Sequence, residues 1–182
     1  MIRTLVLITA SIASASLNAQ VDHSRSRIPT VTACELLRNP LLYDGHVLRI
    51  RDRIVATDEG VWFKGEECPG VVVTGNFVWD PLISLDAPGL PLQLHPFDFE
   101  YDVESEQNMR IRYKKLRARA PDECIVFTYT GMFETRREWS KMLNGNPRGF
   151  GHLNRAPAHL VVKSADDVEV VSPCISKRGA KR

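Results

Sequence analysis

One stretch constrains the rest of this chain: Cys124 to Cys174 reads as a long strand, a glycine-rich loop and a returning strand. In the first strand, Cys124 to Thr135, residues Ile125, Phe127, Tyr129 and Phe133 fall on one face. Thr128, Thr130 and Glu134 fall on the other. This period-two alternation in β-favouring residues is that of a half-buried strand. The return runs from Ala158 to Ser164 and is extended by Val168 to Val171, and the loop between holds Asn144 to Asn154. A chain built on so long a hairpin is expected to be mainly β, with little helix.

The residues upstream supply the partners for that hairpin. Thr32-Ala-Cys-Glu35 has the spacing of a capping box, Leu36 and Leu37 give the short helix an apolar side, and Pro40 stops it. His46 to Thr57 is the first long strand, with Leu48, Ile50 and Ile54 facing one way and Arg49, Arg51 and Arg53 the other. Val61 to Lys64 is a second strand and Val71 to Thr74 a third. From Phe77 the prolines at 81, 88, 91 and 96 read as an insertion, bounded at 77–100. The segment 98–119 fits either a hairpin with acidic and basic faces or a helix that starts at about Val103 and is ended by Pro121. The helix is preferred. Acids fill its first turn, bases its last, and Met109, Tyr113 and Leu116 share a face.

Helix, three strands, insertion, helix, two strands is the order of an OB-fold, a small Greek-key barrel of five strands. The expected domain is 32–175, after a flexible polar segment at 20–31 and before a basic tail at 176–182. The 182 residues and 43% hydrophobic content suit one domain with its own core.

The first nineteen residues are a different text. Met-Ile-Arg gives a positive start, Thr4 to Ala13 an apolar run, and Ser14 to Ala19 a small, polar cleavage region. This is expected to be a secretory signal peptide cut near Ala19, giving a periplasmic or secreted protein with no transmembrane segment. The alternative is an uncleaved anchor, against which the run counts, since a spanning helix needs about 20 apolar residues. No cysteine stands at the cut, which disfavours a lipid-anchored form.

Export bears on the four cysteines, Cys34, Cys68, Cys124 and Cys174, for which disulfides are expected. If the two long strands are antiparallel neighbours, the start of one lies beside the end of the other. Cys124 then pairs with Cys174, which leaves Cys34 with Cys68. Four free thiols are the alternative.

Charge argues against a dedicated nucleic-acid binder. The formal charge is +2, and removal of Arg3 with the signal peptide leaves +1. Without the tail bases Lys177, Arg178, Lys181 and Arg182 the body is −3. Nucleic-acid binding needs a concentrated basic surface.

Several residues together look like a group of exported bacterial OB-like barrel proteins of unassigned function. They are Cys34-Glu-Leu-Leu, Tyr43-Asp-Gly45 leading into a strand, Gly60-Val-Trp-Phe63, Cys68-Pro69 and Gly149-Phe-Gly-His-Leu-Asn154. The resemblance covers most of the mature chain. It implies an OB-like barrel and export, and carries no established activity with it.

No motif spells out catalysis. His46, His95, His152 and His159 lack metal-site spacing and read as surface or loop histidines, so no metal and no cofactor is expected. Ser140 and Ser164 lack a nucleophile elbow, and Asp122-Glu123 and Asp166-Asp167 read as turn pairs. Arg49, Arg51 and Arg53 with Trp62 and Phe63 could form a face for single strands. The bland alternative has solvated arginines and core aromatics. The loop at Gly149 to Asn154 is either a tight turn with positive φ at Gly149 and Gly151 or a recognition loop. If it binds, the candidates are Trp62, Phe150, His152, Asn154 and Arg155. Three functions stay open: a non-catalytic module for an envelope protein or glycan, an oligosaccharide or single-stranded nucleic-acid binder, and a hydrolase.

Overall fold

A computed structural model describes residues 28–65, 68, 73–74, 77–86, 100–135, 149–151 and 155–172. The expected signal peptide, the tail, and residues His95, Ser140, His152, Asn154 and Cys174 lie outside them.

The chain is mainly β. Its strands are β1 (Thr30–Val31), β2 (His46–Asp52), β3 (Ile54–Thr57), β4 (Gly60–Lys64), β5 (Val73–Thr74), β6 (Phe77–Val78), β7 (Leu82–Asp86), β8 (Cys124–Thr135) and β9 (Ala158–Val171). Its helices are α1 (Ala33–Arg38), α2 (Pro40–Tyr43) and α3 (Val103–Arg119). Seven strands form one sheet in the order β1-β2-β8-β9-β7-β4-β3, and β5 and β6 form a separate ribbon. The hydrogen-bonded order is thus that of an open sheet, where five strands closed into a barrel were expected. Two things raise the count. The long first strand is interrupted at Arg53, dividing it into β2 and β3, and β1 adds an edge.

The hairpin is as anticipated. β8 and β9 are antiparallel, with Cys124 opposite Val171 and Thr135 opposite Ala158. The register shifts twice, between Thr128 and Tyr129 and between Thr130 and Gly131, so β9 bulges. The start of α3 meets this irregular stretch. Asp102 donates its amide to the Lys163 carbonyl at 2.8 Å, and the Ala165 amide donates to Ser105 Oγ at 2.9 Å. Backbone groups that a bulge leaves unpaired thereby find partners.

Four local readings need correction. The third sheet strand is β7, inside the expected insertion, while among the described residues Val73–Thr74 pairs only with β6. Proline density hid a five-residue strand that begins just after Pro81. Pro40 ends α1 but also starts α2, because proline is well placed in a helix's first turn. The end of the supposedly flexible N-terminal segment is β1, parallel to β2, with the Arg49 amide donating to the Pro29 carbonyl at 2.9 Å. Asp166 and Asp167 lie in β9 and not in a turn, whereas Asp122 and Glu123 do occupy one.

Both longer helices cover the same sheet face. Leu36 and Leu37 of α1 pack with Leu48, Ile50, Phe63, Ile83, Phe133, Leu160 and Val162. The capping box forms: the Glu35 amide donates to Thr32 Oγ1 at 3.2 Å, and the Thr32 amide donates to Glu35 Oε2 at 2.6 Å. Asp52 Oδ2 accepts from the Ala33 amide at 3.0 Å and joins that helix start to β2. Burial pushes the Asp52 carboxyl up, against these backbone hydrogen bonds. In α3, Asp102 caps the N-terminus by accepting from the Ser105 amide at 2.9 Å. Met109, Tyr113 and Leu116 then pack on Ile125, Phe127, Ala165 and Val168, as the helical reading expected. Among the described residues no helix is long and apolar enough to cross a membrane.

Candidate functional site

The helices leave the other sheet face to a different set of side chains. Pairing across the ladders places Glu134 of β8 opposite His159 of β9, His159 opposite Ser84 of β7, and Ser84 opposite Trp62 of β4. Residues directly opposite in a ladder share a face. Asp86, two positions after Ser84, returns to that face.

His159 is the centre of this row. It is 7% exposed, and both ring nitrogens meet carboxylates: Nδ1 lies 2.6 Å from Asp86 Oδ2, and Nε2 lies 2.8 Å from Glu134 Oε2. Ser84 donates its hydroxyl to the other Asp86 oxygen at 3.0 Å. Burial works against the charged ring, but the hydrogen bonds and charges of Asp86 and Glu134 outweigh it and hold the imidazole above its ordinary 6.5. His159 is therefore no surface histidine. Both of its ring nitrogens are engaged by carboxylates.

The Phe150 ring covers His159. The two rings stack at 4.1 Å between centroids and 20° between planes. Phe150 and Ala156 exchange backbone hydrogen bonds, at 2.8 Å from the Phe150 amide and 3.2 Å from the Ala156 amide. Gly151 takes a left-handed φ of +68° and lies against Ser84 and Trp62. Arg155 donates from Nε to Asp80 Oδ2 at 2.7 Å. The Trp62 indole N–H is buried with no hydrogen-bond partner among the described residues.

Of the residues singled out from the sequence, Trp62 and Phe150 come together around Gly151 and His159, and Arg155 lies beside Asp80. His152 and Asn154 lie outside the described residues. His159, Asp86, Glu134 and Ser84 were missed as a group. Each interrupts an apolar strand with a polar side chain, but only the register brings them into one row.

Arg49 and Arg51 of the arginine face are neutralised. Arg49 Nε lies 2.8 Å from Asp166 Oδ2, and Arg51 Nη2 lies 2.8 Å from Glu169 Oε1. Arg110 pairs with Glu106, and Arg112 pairs with Asp167. Trp62 is 8% exposed and Phe63 is fully buried, so neither is an open stacking platform. Among the described residues no group of three His, Cys, Asp or Glu side chains could hold a metal ion.

Oxidised cysteines frame the domain. Cys34 and Cys68 are bonded, with their Cα atoms 5.1 Å apart, tying α1 to the turn after β4. Cys124 is also disulfide-bonded.

No family model matches this chain, and no curated protein or solved structure matches it either.

Proposed function

We propose that this is an exported, non-catalytic interaction module with an OB-like chain path, serving an envelope protein or glycan. The path is supported by three features: β7 runs parallel to β9, α3 lies between β7 and β8, and only Arg53 separates β2 from β3. Taken as one bent strand, His46–Thr57 bonds to β8 through its first part and to β4 through its second. Five strands then follow one another around a ring, as in a small Greek-key barrel.

The observation that carries the non-catalytic reading is the occupation of both His159 nitrogens. A general base needs a free nitrogen within reach of the proton it removes. Here the two carboxylates that could serve a hydrolase are bound to the ring. Stacking on sugars or bases is likewise disfavoured, because Phe150 lies on His159 and Trp62 is covered. A glycan keeps one point in its favour. Among the described residues the indole N–H of Trp62 has no acceptor, and leaving such a donor buried costs about 1–3 kcal/mol. A hydroxyl or carbonyl oxygen would satisfy it.

The experiment is capture of bound material from the native cell envelope, with mass spectrometry for both protein and glycan. Wild-type and Arg155→Ala protein are compared, because the Arg155–Asp80 pair lies on the exposed side of the site. Material retained by wild type and weakened by the variant supports the module. Turnover of an envelope substrate by the purified protein would overturn it.

A further inference from the structure

We propose that His159 is a proton-operated latch for Phe150: with both ring nitrogens protonated it ties β7 to β8 and holds the Phe150 ring, and loss of one proton releases that ring and opens the Phe150–Ala156 bridge.

The contacts of the ring support this. Ionised carboxylates only accept hydrogen bonds. With both carboxylates ionised, a ring held at 2.6 Å to Asp86 and 2.8 Å to Glu134 carries hydrogen on both nitrogens. A neutral imidazole has one N–H, so one of the two contacts would set a lone pair against a carboxylate. Phe150 adds a third attachment. Its ring face lies nearly parallel over the imidazolium at 4.1 Å, and a π face attracts a cation more than a neutral ring. One proton thus supports two cross-strand contacts and one stacking contact.

The surrounding charges are few. Among the described residues, β7 presents Asp86 and β8 presents Glu134 to the ring, while Phe150 brings no charge. Asp44 binds the Thr135 amide beside Glu134, and the Arg155–Asp80 pair lies farther along. His159 is raised from its ordinary value, so its contribution is complete below about 6.5 and disappears as pH rises through the folded value. The latch is closed in acid and opens toward alkaline pH. It does not depend on what the module binds.

The test is NMR on the whole mature protein between pH 5 and 9. The ring nitrogens of His159 and the amide exchange of Phe150, corrected for the intrinsic rate, are followed together. We expect the ring to stay doubly protonated above about 6.5, and Phe150 protection to fall at least tenfold when it deprotonates. In Phe150→Leu, which keeps the apolar bulk, the ring should lose its proton at a lower pH than in wild type. In His159→Gln the pH dependence of Phe150 protection should vanish. Flat wild-type protection across the range, or an unchanged titration in Phe150→Leu, overturns the latch. Those two readouts decide the matter even if His159→Gln does not fold.

Discussion

A β-carbon at Gly151 would stand 2.8 Å from the hydroxyl oxygen of Ser84. The same carbon would be 3.2 Å from the Trp62 indole nitrogen, and the backbone at Gly151 already has a φ of +68°. Gly151→Ala therefore meets both crowding and left-handed strain, which should cost about 1–3 kcal/mol in urea unfolding. Adding Ser84→Ala removes the hydroxyl and should recover part of the loss, because the strain remains. A single variant as stable as wild type would disprove this close approach.

Gly131 is a harsher case. A β-carbon there would lie 2.3 Å from the Val161 carbonyl oxygen and 2.9 Å from Leu160 Cγ. The carbonyl belongs to the facing strand β9 and cannot swing aside as a side chain can. We expect Gly131→Ala to lower the thermal midpoint more than Gly151→Ala does, with a cost of at least about 1–3 kcal/mol from overpacking. The reverse ranking would contradict the β8–β9 register.

The α1 cap gives a pH-dependent prediction. Thr32→Ala removes the acceptor for the Glu35 amide and should cost about 1 kcal/mol at neutral pH. The hydrogen bond from the Thr32 amide, followed by that from its side chain, holds the Glu35 carboxyl below its usual range. A depressed carboxylate contributes stability above its unfolded value of about 4.3 and loses it as pH falls through the folded value. The gap between wild type and Thr32→Ala should narrow in acid. Paired denaturation curves at pH 7 and pH 3 measure it, and a gap that widens in acid would count against the capping box.

Peptide mapping without reductant should recover Cys34 joined to Cys68 and Cys124 joined to Cys174. The first bond is present in the structure. For the second, Cys124 is oxidised and faces Val171, three positions before Cys174. Opening the Cys34–Cys68 loop, with its sequence separation of 34, should cost about 3–4 kcal/mol on the chain-entropy scale. A peptide linking Cys34 to Cys124 would refute the pairing.

What the sequence made legible is local. β8 could be read to its ends because Ile125, Phe127, Tyr129 and Phe133 recur on one face, with Thr128, Thr130 and Glu134 on the other. α3 was legible because its charges are graded along the helix and Met109, Tyr113 and Leu116 recur on one side. β7 was hidden by flanking prolines, although Ile83 and Leu85 alternate with Ser84 and Asp86. The division of the first strand at Arg53 left no trace in its pattern. The site failed for another reason. Trp62 and Phe150 were conspicuous one at a time, but His159 acquires its meaning from Glu134 and Asp86, on strands far apart in the chain. Only hydrogen-bond register joins those three, and register between distant strands is not written in composition.

The order of the sheet also has a consequence in time. β9 follows β8 and β7 in the chain, yet it lies between them, bonded to β8 on one side and to β7 on the other. Until Ala158–Val171 has been made, both neighbours keep an unpaired edge, and such edges invite pairing with other chains. The join is between segments distant in sequence, a slow kind of contact to form. A nascent chain that folded early would do so around a missing centre. This architecture favours a polypeptide held extended until synthesis is complete, with its sheet closing in one late event.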